Sequence, residues 1–395
     1  TRDESWRYTA LKRITPAGLD EFGAAANGQA EATVTTELID TLAGSHGGPR
    51  IVMVNGHHRA DLSTLEDLPD GVTVSDLSGI GDPTVLPAAP ERTDGFLALN
   101  RAASVDGAVV LVAEKTEVTA PIHVVHVSVP TATPVSHPAT VIRLAAGSKA
   151  TVIESWIGTG GPVLVNALTS IDVADGATLT LHRIQSEDDR SIHLGATDCH
   201  LGNAASFNSV SVSTGGDVAR TALDVVLGGD HAEATLDGLY LPFDKQHHDN
   251  VITVEHAGSH GKSHQRFRGI MDDQGRGSFT GVVIVDAGTV GNDAEQVNHS
   301  LLLTSQAESD SRPWLNILAD DVQCNHGATI GRLDDDALFY LRSRGLSVDV
   351  ARGMLIDAFA AAITEAIDVE SLREHVVAQL EDRRTKHEVR QEEQS

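Results

Sequence analysis

The chain reads as mainly β, a parallel β-helix preceded by a small mixed α/β segment and followed by a helical one. Three observations point there. Between about residues 105 and 320, strand-length β-branched runs recur with no long helix among them: GAVVLVAE, IHVVHVSV, KATVIESWIG, GATLTLHRI, VITVEHAG and GSFTGVVIV. Each ends in turn residues, and Gly147, Gly176 and Gly202 fall 29 and 26 residues apart, near the length of one solenoid coil. After about residue 331 the apolar period changes from two to three and four. A sandwich or jelly roll stays open on periodicity alone, because the repeat length drifts, but the long train of similar short strands favours the β-helix.

In order, residues 1–95 make the mixed α/β cap. IVMVNGH at 51–57 reads as a short strand closed by a turn, and DLSTLEDLPDGVTV as a helix or turn leading into another strand. The stretch at 79–95, GIGDPTVLPAAPERTDG, has the composition of a loop or linker. FLALNRAA follows as one short helix, and residues 96–330 form the β-helix core. In the 331–395 segment, LDDDALFYLRSRG and VDVARGMLIDAFAAAITEAI carry amphipathic helical spacing. Asp334 to Asp336 stand where a helix start favours acids, and Gly345 where a glycine stop belongs. SLREHVVAQLEDRR predicts a further helix, and the last dozen polar residues are expected to fray.

Composition narrows the function. Fifty-six Asp and Glu against 29 Lys and Arg leave a net charge of -27, which repels nucleic acid and anionic membranes. An acidic surface rich in arginine and poor in lysine fits either a high-salt environment or a biased genome. No window approaches the roughly 18 apolar residues of a bilayer span, and TRDESWRYTALKR lacks the apolar stretch of a secretory signal, so a cytoplasmic location is expected. Two cysteines, Cys199 and Cys324, allow one disulfide and no stapled scaffold. No phosphate-binding loop, dinucleotide fingerprint or nucleophile elbow is present. Aromatic residues at 4% also argue against a carbohydrate-acting β-helix enzyme, whose groove needs stacked rings.

Two clusters could carry chemistry. HHDNVITVEHAGSHGKSH gathers His247, His248, His256, His260 and His264 beside Asp249 and Glu255. Imidazole and carboxylate suit iron or zinc, but the spacing matches no closed metal motif, and local hydrogen bonding explains it equally. ADDVQCNHGATIGRLDDD is tighter. On a strand Cys324 and His326 face one side, because the side-chain period is two. Thiolate and imidazole together make half of a tetrahedral site, so further ligands must come from elsewhere in the chain or from a partner. Asp320 and Asp321 offer oxygens or lie on a solvated face. Cys324 as a small core residue is the plain alternative, and core packing is the reading for Cys199, whose neighbour His200 points the other way.

The 319–345 stretch, ADDVQCNHGATIGRLDDDALFYLRSRG, closely resembles the signature end of the SufB/SufD family, the paired core proteins of an iron–sulfur cluster assembly system. EHAGSHGKSHQRFRGIMDDQGRGSFTG (255–281) and QVNHSLLL (296–303) are similar to the same family. Specific likeness runs from about 240 to 363, and looser likeness covers the β body. The opening WRYTALKR, with Trp6 and Tyr8, and the chain length are most like the SufD branch. One departure is CNHGAT where CSHGAT is common. Asn325 for Ser is a small polar swap, tolerated if the side chain faces away from the site.

The resemblance implies a right-handed parallel β-helix with helical ends. It implies a SufB-like paralogue as partner and a SufC-like ABC ATPase docked mainly on the C-terminal helices, with sulfur-delivery proteins acting indirectly. The chain itself is then non-catalytic, and ATP hydrolysis belongs to the partner. His326 would contribute to a cluster site at the SufB-like interface, with Cys324 supplying a thiolate or packing. No cofactor is expected to bind tightly in isolation, where a homodimer is conceivable; the cluster would be transient at the interface. Leu338, Phe339, Leu341, Met354, Leu355 and Phe359 are the candidate partner-facing residues, unless they hold the helices to the body. His256, His260 and His264 remain weaker metal candidates. Two alternatives stand beside this, a SufB-like homodimeric scaffold and an architectural partner that never touches the cluster.

Overall fold

The computed structural model of the chain describes residues 6–9, 11–14, 34–66, 68–81, 94–130 and 135–394, with side chains as far as 385. Most of the expected 79–95 linker lies outside the described residues. Short elements open the chain: α1 (Leu11–Ile14), α2 (Thr36–Ala43), β1 (Arg50–Val54), β2 (His57–His58), β3 (Val72–Asp76), α3 (Leu77–Ile80) and α4 (Gly95–Ala103). The expected turn after the first strand is Asn55–Gly56, both at positive φ (50° and 84°). The region between β2 and β3 is turns rather than helix.

Next come β4 (Gly107–Val112), β5 (Ile122–Ser128), β6 (Val135–Ser136) and β7 (Ala139–Leu144). From there each coil holds two strands. β8 (Lys149–Gly158) runs into β9 (Leu164–Val173), β10 (Thr178–Ser186) into β11 (Ile192–Leu201), and β12 (Ser206–Ser213) into β13 (Val218–Leu227). β14 (Glu233–Tyr240) is followed by β15 (His247–His256), β16 (Lys262–Met271) by β17 (Arg276–Val285), and β18 (Asn292–Leu302) by β19 (Glu308–Ile317). β20 (Val322–Gly331) begins a last coil.

From β7 onward, strands adjacent in sequence lie in opposite sheets, and each pairs in parallel with the equivalent strand one coil away. One sheet runs β2-β1-β5-β8-β10-β12-β14-β16-β18-β20 and the other β3-β4-β7-β9-β11-β13-β15-β17-β19. That is a β-helix and excludes the sandwich, whose strands would pair antiparallel. Residue 149 stands beside 178, then 206, 233, 262, 293 and 323, so successive coils advance by 29, 28, 27, 29, 31 and 30 residues. Antiparallel pairing occurs at the N-terminal end, where β2 and β3 fold back on β1 and β4. Leu65 and Leu68 pack over the core there.

One corner of every coil is set by a residue in the left-handed region. Lys115, Gly147, Gly176, Ala204, His231, His260 and Gly291 have φ between 50° and 68°. Each donates its N–H to a carbonyl of the next coil at 2.7–3.0 Å, from Lys115 to Ala146 through Gly291 to Asp321. Gly147 and Gly176 are thus equivalent rungs, as their spacing suggested, but the following rung is Ala204, with Gly202 two residues before it. Beside this ladder runs a second one: Asp175 accepts from Asn203 N–H, Asn203 from Asp230, Asp230 from Ser259, and Ser259 from Val290.

The interior near that corner is apolar. Ile142, Ile171, Cys199, Val225, Val254 and Val283 form one column in register, and burial pushes the Cys199 thiol well up. Further across, the interior turns polar. Buried Glu154 accepts from Thr169 and pairs with Arg183, which also donates to Thr197 at 2.6 Å.

Both sheets are covered on the outside. Residues 6–9 and 11–14 lie on the β9–β15 sheet: Trp6 donates to Asp94 at 3.1 Å, the Arg220 guanidinium sits 4.2 Å over its ring, Thr9 donates to Asp249, and Arg13 pairs with Asp217 at 2.6 Å. On the other sheet lie α5 (Asp335–Ser343), α6 (Val348–Thr364) and α7 (Glu370–Gln394). Asp334 caps α5 and Ser347 caps α6 through their side-chain oxygens, and Gly345 between them has φ 92°. Ile356, Ala360, Ile363, Leu372 and Val376 pack on Ile153, Ile184, Val212, Leu239 and Ile270 of the sheet. His182 meets Asp368 at 2.5 Å, and Arg268 donates to the Phe359 carbonyl at 2.7 Å. α7 runs helical to Gln394, through the residues expected to fray.

Candidate functional site

The N-terminal end of the solenoid is folded over, and among the described residues the C-terminal end is not. β19 and β20 each pair on one side, with β17 and β18, and no further described strand covers their outer edges. Trp314 (49% exposed), Ile317, Leu318 and Ile330 are exposed around this end. The phase of β20 is read from its register. Cys324 stacks on Ala294 and Ser263, and His326 on Gln296 and Gln265, all of them inward-facing. Cys324 and His326 therefore share the inner face of the final coil, as the period of two predicts, and Asn325 falls on the opposite face beside Glu295.

Their environments differ. Cys324 is half-buried against the small cluster of Val283, Val285 and Ala294, and burial together with the Asp293 charge raises its thiol. A cation bound there would have to displace that proton. His326 is exposed at the mouth of the coil. Asp320 and Asp321 lie exposed in the turn before β20. Among the described residues no three His, Cys, Asp or Glu side chains converge on a metal-sized site. The pair at 324 and 326 can contribute to a site completed from outside.

The upstream histidines are not brought together. His256 is buried with Nε2 2.8 Å from Ser263 Oγ. His260 occupies a left-handed corner, its ring stacked 4.9 Å from His231. His264 is on the outer face, 3.3 Å from Glu295. His247 and His248 are consecutive strand residues, held neutral by burial and pushed to about 4 and about 3.

The structure adds residues that motif spacing did not flag. Tyr240 is fully buried, with its hydroxyl 3.3 Å from Asn298, and Asn298 in turn donates to Ser311. Gly269 and Gly277 make room for the Tyr240 ring, since an added Cβ would sit 2.4 and 2.6 Å from it. Gly281 makes room for the Gln296 amide, which a Cβ would meet at 1.9 Å. Gly269, Gly277 and Gly281 of RGIMDDQGRGSFTG are thus packing requirements of the interior below the open coil. The alternation of Gln296, Asn298 and Ser300 could have signalled it, but the sequence did not say which phase faced in.

The candidate partner-facing residues lie on the helices beside the open end. Phe339 (73% exposed) and Met354 (49%) face solvent, together with Tyr340, Val348 and Val350. Leu338, Leu341, Leu355 and Phe359 are half-buried, with Phe359 under the Arg268 guanidinium at 4.7 Å.

Residues 127–359 match the family model described as the SUF system FeS cluster assembly, SufBD core domain. An iron–sulfur cluster assembly SufBD family protein of Synechocystis is 30% identical over 94% of this chain and 84% of its own length. The iron–sulfur cluster assembly protein SufD of Escherichia coli is 30% identical over 96% of this chain and 88% of its own. A SufBD family protein of Mycobacterium tuberculosis is 29% identical over 96% and 88%. With the solenoid, the Cys324/His326 coil and these matches together, the chain belongs to the SufBD family of iron–sulfur cluster assembly proteins.

Proposed function

We propose that the chain is the SufD-like subunit of such an assembly. It pairs with a SufB-like paralogue at the open coil and carries a SufC-like ATPase on the exposed face of α5 and α6. The observation that carries this reading is the half-complete ligand pair on an uncovered end. His326 and Cys324 face inward on a strand whose outer edge has no described partner, so a second chain that continues the sheets would also bring the missing ligands. In this reading the nascent cluster is cargo, with the His326 imidazole as nitrogen donor and Cys324 giving a thiolate or packing beside it. The exposed Phe339, Tyr340 and Met354 suit a protein partner better than water.

Co-expression with SufB-like and SufC-like proteins, capture through this chain, and anaerobic determination of iron and sulfide test the reading. A three-protein complex that loads iron and sulfide, and loses most of both with His326→Ala while keeping its β signal, is the expected result. Normal loading in that variant would make the subunit architectural. Self-association alone would make it a homodimeric SufB-like scaffold.

A further inference from the structure

We infer that Gln296 is a positioning residue, which accepts a hydrogen bond from the His326 imidazole and fixes which ring nitrogen is left free. The inference rests on the reading of His326 above and adds the device that aims it. Gln265, Gln296 and His326 occupy one inward column in consecutive coils, and rungs of a parallel sheet stack about 4.8 Å apart. Gln265 and Gln296 are buried, at 1% and 0% exposed. The amide NH₂ of Gln296 donates back to Gln265 Oε1 at 3.0 Å, so the bonding of the column runs toward the interior. Gln296 Oε1 is also buried and accepts no hydrogen bond from any described residue, His326 included, so the bond inferred here needs the imidazole to turn onto it.

A buried acceptor left unmade is costly, and the next rung of this column is the imidazole. Gly281 explains how the amide is held: it lacks the Cβ that would occupy the space of the Gln296 side chain. A neutral imidazole has one N–H and one lone pair. An N–H given to Gln296 turns the lone pair away from the core, toward the open end, where an incoming metal can take it. This is the arrangement by which an outer partner fixes the tautomer and orientation of a ligating histidine.

The test uses the full chain without cluster, labelled with ¹⁵N-histidine, at a pH where the ring is neutral; His326→Ala identifies the His326 signals. In the wild type the two ring nitrogens should show well-separated shifts, one protonated and one bare. Gln296→Met should let the tautomers exchange and draw the two shifts together, and Gln296→Glu should restore the separation. Unchanged shifts in a Gln296→Met chain with native β signal overturn the inference. Should the Met variant not fold, the Glu variant decides alone: its charged acceptor should move the protonated nitrogen further, and no movement overturns the assignment. In the three-protein complex Gln296→Met should load iron about tenfold less well, the lower end of the usual loss for such partners. If the shifts respond to Gln296 but His326→Ala loads normally, the hydrogen bond stands and the cluster reading fails.

Discussion

Asp249→Asn is expected to destabilise the chain by about 3–5 kcal/mol, the usual cost of leaving one member of a buried ion pair behind. The side chain of Asp249 is 1% exposed and that of Arg220 4%, and they meet at 2.7 Å. The carboxylate also accepts from Ser278 Oγ at 2.6 Å and from Thr9. The amide keeps the shape and removes the charge, so the guanidinium stays out of water without its counter-ion, and one oxygen must serve donors that two had shared. Urea unfolding followed by circular dichroism measures the cost. Because each coil touches mainly its neighbours, the damage should be local. Hydrogen exchange should rise first in residues 6–9 and 11–14, which reach this pair through Thr9 and Trp6. Replacing both members, Arg220→Leu with Asp249→Leu, should cost much less than the two single changes summed. A single-variant cost below about 1 kcal/mol, in the range of exposed pairs, or strict additivity in the double variant, would refute the reasoning.

Two further outcomes follow from the interior. Gly269→Ala places a methyl 2.4 Å from the buried Tyr240 ring and should cost about 1–3 kcal/mol in chemical unfolding, as overpacked cores do; adding Tyr240→Leu should return part of it, and a double variant no better than the sum would show that the ring is not the obstacle. Burial lowers His126 to about 4 and His248 to about 3, so the unfolded chain takes up protons below about pH 6.5 that the folded chain refuses. Stability should therefore fall steadily from about pH 6.5 toward 4, by an amount of order 3 kcal/mol for one such histidine at about 1.4 kcal/mol per pH unit. Glu154 acts in the same direction at lower pH: burial opposes its charge, but Arg183, His126 and Thr169 outweigh that and hold it low. Melting temperatures flat across pH 6.5 to 4 would contradict the buried neutral histidines.

Much of the solenoid was legible because strand alternation and turn residues are local signals. The runs read at 149–158, 176–184 and 277–285 fall on the strands at 149–158, 178–186 and 276–285, and the helices at 335–343 and 348–364 carry their caps in the sequence. The phase of each strand was not legible. Which of Gln296 or Val297 faces inward depends on stacking with residues about 30 positions away, and no local pattern contains that. For the same reason the histidines at 247–264 looked like one cluster. Folding sends them to an interior column, a corner and an outer face, and proximity along the chain is lost at every turn. The inward pairing of Cys324 with His326 survives because two residues on one strand need no long-range information.

The two ends of the solenoid are unlike each other, and in the proposed assembly that asymmetry would set how far association can go. At one end the two-residue β2 and the five-residue β3 turn back antiparallel, a short and reversed termination that offers little to another sheet. At the other, two ten-residue strands stop with edges that no described strand covers. A rod that was adhesive at both tips would polymerise into a fibre without limit. A rod adhesive at one tip saturates: once two such tips meet, neither molecule has another to offer, and growth halts at a pair.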